Sequence, residues 1–178
     1  NWCTSGRDRA GDEPAGVGDG RGESEVLEVV RSMMHPSCPA TIISVAVSGE
    51  EQGLLGSTYM AEKAKKENWN IEAVLHDDIM GSNNSNETNI IDNTRVRVFS
   101  EGLPAFEMEK NAARIRALGL ENDGKSRQLA RYVKEIGERY VDHLDVVMIY
   151  SNDRFLRGGD HTPYVEKGFA AVRFTEMN

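Results

Sequence analysis

The sequence predicts an α/β fold, a three-layer sandwich in which helices cover both faces of a largely parallel, mixed central sheet. Two observations support this prediction. Short apolar segments alternate along the chain with amphipathic segments of helical period, which is typical of parallel sheets with helical crossovers. Polar loops that contain glycine follow several of the apolar segments, as they do at the carboxyl ends of parallel strands.

Composition limits the class of protein. The chain has 178 residues, a length that fits one domain over residues 1–178, and a net charge of −8. Acidic residues are spread along the chain, which argues against nucleic acid as a partner because backbone binding needs a basic face. No run is long and apolar enough to span a bilayer. The sequence leaves open the oligomeric state and whether Cys3 and Cys38 pair or stay free.

The first segment is poor in apolar residues. Residues 1–24 are rich in glycine and predict a loop, in which four alternating glycines surround Asp19. We interpret this loop as a turn that presents Asp19 at the mouth of a helix. Ser24 is a plausible N-cap, and apolar residues at helical spacing predict that this helix runs to about Met34.

The next segment carries two adjacent carboxylates. Residues 42–47 predict a buried strand, which breaks at a glycine and delivers Glu50 and Glu51. Two like charges side by side near a sheet edge repel each other, and a nearby cation would remove that cost. A helix is predicted over residues 57–68, with Tyr59 on the face directed into the core.

The remaining elements continue the alternation. We expect the helix predicted over residues 124–141 to be capped by Asp123 or Ser126. Strands are predicted over residues 71–75, 96–100, 146–150 and 170–174, and helices over residues 104–118, 124–141 and 163–168.

Acidic and histidine side chains occupy four of the predicted loops. Loops at the carboxyl ends of parallel strands converge on one edge of the sheet, so we expect these side chains to meet there. The four loops together indicate a metal site more strongly than any one of them does alone. The residues are Asp19, Glu50 with Glu51, Asp77 with Asp78, and Asp160 with His161.

Three motifs carry a resemblance to a known family. The segments SGEEQGLLGS, HDDIMG and DRFLRGGDHTPYVEKGFAAVRFTE resemble those of the co-catalytic zinc aminopeptidases, the leucyl-aminopeptidase-type zinc metallopeptidases. That family also includes carboxypeptidase relatives and the glutaminyl cyclases. The resemblance runs from Asp19 to Glu176. It implies a sandwich of the zinc-exopeptidase type, here truncated at both ends, with zinc as cofactor, a peptide substrate and an extracytoplasmic (periplasmic or secreted) location.

The resemblance also implies a role for individual residues. Asp19 matches the aspartate that bridges two zinc ions, and Asp78 matches a carboxylate ligand of one of them. Glu51 and His161 match ligands of the other zinc. Glu50 matches the general base and acid that handles the proton of the attacking water.

Neighbours of these residues have more than one possible role. Asp160 could orient His161 or meet a substrate amine. Arg154 and Arg157 could bind a substrate carboxylate or pair with nearby acids. His76 stands where the family usually has an asparagine, and it could support a ligand or lie exposed.

The sequence departs from the family at its start. The family has a His-x-Asp motif before the bridging aspartate, and here Asn1 and Cys3 stand at those positions. Asparagine is a poor zinc ligand. We therefore expect one complete zinc site, formed by Asp19, Glu51 and His161, a second site that binds weakly or not at all, and impaired activity.

The function that the sequence predicts is a zinc-dependent exopeptidase that removes N-terminal residues from peptides. The acidic residues at the site favour the free ammonium group of a substrate, which fits an aminopeptidase. Two alternatives remain open, a single-zinc acyltransferase similar to glutaminyl cyclase and an inactive peptidase-like fold.

Overall fold

A computed structural model describes residues 15–34, 39–80, 91–102, 111, 113–115, 117–151 and 158–177, and for residues 15–23 it describes the backbone alone. None of the helices in these ranges is long and apolar enough to cross a membrane. In chain order the elements are α1 (Ala15–Met33), α2 (Leu55–Lys66), β1 (Val74–Asp77), β2 (Arg95–Phe99), a 3-10 turn (Leu120–Asp123), α3 (Lys125–Tyr140), β3 (Asp145–Ile149), α4 (Thr162–Glu166) and β4 (Ala171–Glu176).

The four strands form one mixed sheet in the order β1-β4-β2-β3. Strand β1 pairs with β4, and β2 with β3, in parallel, whereas β2 and β4 are antiparallel. The predicted α/β class and the mostly parallel mixed sheet are therefore confirmed. The strands predicted over 71–75, 96–100, 146–150 and 170–174 are all present, with ends shifted by one to three residues.

Helix α3 covers one face of the sheet. Its Ala130 packs with Val98, Val146 and Val172 in the buried core, and the small alanine side chain lets the helix approach the strands closely. Successive residues of a strand point to opposite faces, so Arg173, next to Val172, points away from α3. Helix α4 contacts β4 and α2, and Arg173 contacts the segment just before α4, which places the third layer on that face.

The start of α1 differs from the prediction. Residues 15–24 are helical, so the predicted loop over residues 1–24 is wrong for its described part, and residues 1–14 lie outside it. Each glycine lowers helix stability by roughly 1 kcal/mol. Once a helix has nucleated, however, extension by further residues needs no new nucleus. The apolar pattern after Ser24 therefore supports a helix that continues backwards through the glycines.

The predicted strand over residues 42–47 is wrong. This segment belongs to no strand, and Ile42, Ile43 and Val45 are between 43% and 60% exposed. An apolar run signals a preference for burial, but a strand also needs hydrogen bonds to a neighbour on at least one side. None of the described strands supplies that neighbour.

A further prediction, the burial of Tyr59 in the helix after the Glu50 turn, is also wrong. Helix α2 begins at Leu55, and its buried face carries Ser57, Ala61 and Ala64, at helical spacing. Tyr59 lies outside this stripe and is 65% exposed, so its predicted place in the core is wrong.

The predicted cap of α3 is also wrong. The N-cap is Gly124, and no side chain caps it. The Ser126 hydroxyl instead accepts a 3.1 Å hydrogen bond from the backbone N–H of Ala171. This bond ties the start of α3 to the start of β4. The predicted helix 104–118 is described only at residues 111, 113–115 and 117–118, which are helical.

Candidate active site

A row of side chains crosses the sheet on the face opposite α3. His76 of β1 is the Cα partner of Arg173 of β4, and Arg173 is in turn the partner of Phe99 of β2. Paired residues on neighbouring strands project to the same face and touch. The row therefore places an imidazole, a guanidinium and an aromatic ring side by side.

The segment before α4 lies against this row. A Cβ atom at Gly159 would be 3.3 Å from Nε2 of His76 and 3.5 Å from Nδ1 of His161. Glycine at this position thus lets the backbone lie close to both imidazoles. His161 is completely buried, and its ring stacks on that of His76 with centroids 6.1 Å apart and planes inclined by 17°.

Asp160 is fixed by a residue of α2. The Ser57 hydroxyl donates a 2.6 Å hydrogen bond to Oδ1 of Asp160, and both residues are buried. Ser57 is the last residue of the SGEEQGLLGS motif, and Asp160 precedes His161 in the GGDH motif. Two of the three motifs that carry the resemblance are therefore in direct contact.

Glu50 sits in a tight turn that leads into α2. The carbonyl of Glu50 accepts hydrogen bonds from the N–H groups of Gly53 and Leu54, and Gly56 N–H donates to Ser48 at 2.9 Å. Gly49 has φ +77°, a conformation that favours glycine. The turn therefore favours glycine at this position.

Electrostatics link the Glu50 carboxylate to those of Glu51, Asp78 and Asp160, and these four residues are called the acidic cluster below. Burial raises the pKa of Glu50, and the charges of Glu51, Asp78 and Asp160 raise it further, while Arg173 opposes them. Glu50 is half-buried, whereas Glu51 is exposed. A half-buried carboxylate whose pKa is raised is a candidate to accept and return a proton.

Asp78 has a cationic neighbour. Nη2 of Arg173 lies 2.8 Å from Oδ2 of Asp78, and Nε2 of His76 lies 3.9 Å from the same oxygen. Burial lowers the pKa of His76, with the Arg173 charge acting in the same direction and Asp78, Asp160 and Asp77 acting against it. His76 is thus a partly buried neighbour of the cluster and not an exposed residue.

Two neighbours of this cluster, Glu101 and Arg173, were not predicted from the sequence. Oε1 of Glu101 lies 3.7 Å from Nε2 of His161, and burial, followed by the charge of Glu166, raises the pKa of Glu101 to about 7. Glu101 follows strand β2 and precedes a glycine, the same pattern that drew attention to Glu50. The only signal for Arg173 in the sequence is that a charged residue occurs inside a predicted strand.

Several predicted site residues lie outside the described part of the structure. These include the side chain of Asp19, whose backbone is helical within α1, and both arginines of the loop before α4. Farther along α1, burial raises the pKa of Glu25, and Asp77 adds to this, so the helix that carries Asp19 approaches the cluster. The residues outside the described ranges are Asn1, Cys3, Arg154 and Arg157.

The described residues fit zinc only in part. No group of three or more His, Cys, Asp or Glu side chains among them is arranged to hold a metal ion, and one predicted ligand, Asp19, has no described side chain. The donor types of Glu51 and His161 suit zinc. Nε2 of His76 and Oε1 of Glu101 are also buried with no hydrogen-bond partner in the described ranges, as expected beside a site for a cation.

Asp78 fits a divalent cation less well. The Arg173 guanidinium already supplies positive charge at 2.8 Å. The donor chemistry therefore does not support a second zinc site at Asp78, and the zinc site of Asp19, Glu51 and His161 stays a prediction.

A surface cleft elsewhere carries no comparable chemistry. It is lined by residues such as Lys65, Trp69 and Phe169 and lies at the amino ends of β1 and β4. Ligands of open α/β sheets bind at the carboxyl ends of the strands. Asp78 directly follows the carboxyl end of β1, and the acidic cluster that contains it is the candidate active site.

Comparison with known proteins identifies the family of this chain. Residues 8–178 match the family model described as peptidase family M28. The chain belongs to peptidase family M28. The predicted resemblance to co-catalytic zinc aminopeptidases is therefore confirmed at the level of the family. The M28 match extends over the turn of Glu50, the end of β1 and the segment before α4, which are the three described segments that form the cluster.

Individual relatives of this M28 chain are fungal. A probable zinc metalloprotease of Leptosphaeria maculans is 40% identical over 171 residues, which cover 96% of this chain and 39% of the relative. One from Pyrenophora tritici-repentis is 40% identical over 169 residues, 94% of this chain and 35% of the relative. One from Pyricularia oryzae is 39% identical over 169 residues, which cover 94% of this chain and 34% of the relative. The chain thus spans less than two-fifths of the length of these relatives.

Proposed function

We propose that this M28 chain is the catalytic domain of a zinc-dependent aminopeptidase, which hydrolyses N-terminal residues from peptides. The observation that supports this most directly is the position of Glu50. Its half-buried carboxylate shares a cluster with Asp78 and Asp160, and its pKa is raised. The names of the fungal relatives, probable zinc metalloproteases, support the metal and the reaction class.

In this proposal the residues divide the work of hydrolysis. Asp19, Glu51 and His161 would hold zinc, which would supply a Lewis acid for the scissile carbonyl and lower the pKa of water. The Glu50 carboxylate accepts the proton of the attacking water and returns it to the leaving amine. Asp160, anchored by Ser57, orients the segment that carries His161.

The proposed preference for peptide N-termini rests on charge. The carboxylates of the cluster attract the free ammonium group of a peptide, which favours cleavage next to the N-terminus. Arg154 and Arg157 are proposed to contact the substrate from the loop before α4. The family resemblance also supports an extracytoplasmic location, which fractionation of the source cells would test.

The central test is the Glu50→Gln variant, assayed with amino-acyl anilides and added zinc. We expect kcat to fall by roughly 10²–10⁴-fold, with the zinc content unchanged because Glu50 is not a ligand. Glu51→Gln is the matched control on the neighbouring residue, and it should lose zinc as well as activity. Equal hydrolysis by wild type and Glu50→Gln would overturn the assignment.

A second candidate function is an acyltransferase similar to glutaminyl cyclase, which needs one metal ion. The ion pair between Asp78 and Arg173 favours this candidate, because it removes a ligand from a second site. A peptide with an N-terminal glutamine, offered beside the anilides, separates the two activities. Turnover of neither substrate by a chain that binds zinc would indicate an inactive peptidase-like fold.

A further inference from the structure

A buried cation lies at the centre of the acidic cluster. Arg173 is 4% exposed and occupies β4, between β1 and β2 in the sheet. Its Nη2 lies 2.8 Å from Oδ2 of Asp78, and its Nη1 donates a 3.0 Å hydrogen bond to the carbonyl of Gly158. The guanidinium also lies over the ring of Phe99, 5.6 Å from the centroid. These contacts fix the position of the charge.

The charge of Arg173 acts on several members of the cluster. It opposes the upward shift in the pKa of Glu50 and contributes to the downward shift in the pKa of His76. An arginine side chain stays protonated at every pH that a protein survives. The cluster therefore has a permanent positive charge that does not depend on bound metal.

This charge occupies the position next to Asp78. Zinc binds carboxylate oxygen at about 2.0–2.2 Å. A zinc ion bound to Oδ2 of Asp78 would thus lie at most about 5 Å from Nη2 of Arg173, since Oδ2 and Nη2 are 2.8 Å apart. A divalent cation at that distance from a buried guanidinium is repelled, and the repulsion is weakly screened because the side chain is buried.

We propose that the Arg173 guanidinium, and not a second zinc ion, is the resident counter-ion of Asp78. This inference rests on the proposed function, because it assumes that the cluster holds zinc at the site of Asp19, Glu51 and His161. The role of Arg173 follows from the strand register. The pairing of His76 with Arg173 and the hydrogen bond from Asp78 N–H to the Phe174 carbonyl place Asp78 and Arg173 side by side.

Zinc stoichiometry tests this inference. The metal-depleted chain is titrated with zinc by calorimetry, and the bound metal is counted by elemental analysis. We expect one zinc per wild-type chain, and we expect Asp78→Asn to leave its affinity within roughly threefold, because Asp78 is not a ligand of that ion. Arg173→Gln should expose Asp78 and admit a second zinc, whereas Arg173→Lys, which keeps the charge, should not.

The outcomes separate this inference from the proposed function. Two tightly bound zinc ions in the wild type, reduced to one in Asp78→Asn, would overturn the role of Arg173 even if the chain is an active aminopeptidase. One zinc with no peptide hydrolysis would support Arg173 as counter-ion and contradict the aminopeptidase. A chain that binds no zinc contradicts both. If Arg173→Gln does not fold, as circular dichroism would show, the wild type and Asp78→Asn still decide the question.

Discussion

The hydroxyl of Ser57 donates a 2.6 Å hydrogen bond to Oδ1 of Asp160, two residues 103 positions apart in the chain. Both are buried, and the acceptor is the neighbour of His161. This bond connects the start of α2 to the segment that lies over the candidate active site. Removal of a single oxygen atom, the Ser57 hydroxyl, would break this direct link between the helix that follows the Glu50 turn and the position of His161.

Replacing Ser57 by alanine should therefore affect both stability and metal binding. Loss of the donor leaves a buried carboxylate oxygen without its partner, which lowers the free energy of unfolding by roughly 1–3 kcal/mol. A displaced segment before α4 should also raise the zinc Kd by roughly 10-fold or more. Urea denaturation and zinc titration measure the two effects.

Ser32→Ala is the control for this prediction. The Ser32 hydroxyl also donates to an oxygen, the carbonyl of Glu28, but it does so on the exposed surface of α1. Its loss should change stability by less than about 0.5 kcal/mol and leave the zinc Kd unchanged. Equal effects of the two substitutions would contradict the role given to Ser57.

Gly56 allows the Glu50 turn to close on the start of α2. A Cβ atom at this position would be 2.8 Å from the carbonyl oxygen of Ser48 and 2.9 Å from its nitrogen. Gly56→Ala must shift this backbone, so we expect a loss of roughly 1–3 kcal/mol of stability and a lower kcat, because Glu50 moves with the turn. Thermal melting and the anilide assay measure these changes.

Gly137→Ala is a matched control, because both glycines lie in helices. At Gly137 of α3 the nearest atoms to a new Cβ are side-chain carbons of Val146 and Leu144, at 3.3 and 3.4 Å. Side chains adjust more easily than backbone, and alanine favours the helix by up to about 1 kcal/mol. We expect Gly137→Ala to be close to neutral. A loss as large as that of Gly56→Ala would argue against a special role for the turn.

The sequence contains enough information for most of the sheet but not for its order. Apolar runs such as residues 146–150 predict strands because their side chains must be buried on both faces. The position of β4 between β1 and β2 depends on pairings between distant segments, which no local pattern records. The failure at residues 42–47 has the same cause, because apolar character does not specify a hydrogen-bonding neighbour.

The candidate site, like the sheet, could be predicted from the sequence only in part. Glu50, Asp78 and Asp160 could be found because each lies in a polar segment with a glycine that follows a predicted strand, and the structure brings their charges together. Arg173 could not be assigned from its position in the sequence. Its relation to Asp78 arises from the register of β1 and β4, and a register is a property of two segments.

Asp92 should stabilise the chain in a way that acid removes. Its Oδ1 accepts hydrogen bonds from the N–H groups of Thr94 and Arg95, and its Oδ2 lies 2.5 Å from Nε of Arg95. These contacts lower the pKa of Asp92 to about 2. The folded state therefore binds this proton less readily than the unfolded chain, and the stabilisation is present above the unfolded pKa of about 3.9.

The expected result is a pH-dependent difference between wild type and Asp92→Asn. The variant should be less stable at pH 5, and the gap should close as the pH falls towards 2. Urea midpoints at several pH values measure it. Asp142→Asn, a substitution at an exposed carboxylate, is the control and should show a smaller gap at pH 5. A gap that stays constant from pH 5 to 2 would contradict the prediction.

Glu101 should show the opposite dependence on pH. Burial, with the charge of Glu166, raises its pKa from 4.5 to about 7. Between these two values the folded chain holds a proton that the unfolded chain has released. The free energy of unfolding therefore falls as the pH rises from about 4.5 to about 7, and above that range Glu101 is an ionised group in a buried position next to His161.

Glu101→Gln removes this titration while it keeps the size of the side chain. In the metal-free protein, we expect the variant to lose less stability than wild type between pH 4.5 and 7.5, so that the two stability curves converge or cross as the pH rises. In the presence of zinc the same substitution should raise the zinc Kd by roughly 10–100-fold, because Oε1 of Glu101 is 3.7 Å from Nε2 of His161 and supports that imidazole. Glu121→Gln is the control for both measurements, because Glu121 is a carboxylate of the 3-10 turn with no ion pair to His161 among the described residues. Parallel stability curves for wild type and Glu101→Gln would show that Glu101 is ionised in the folded chain throughout this range, and its assignment as the partner of His161 would then rest on the zinc Kd alone.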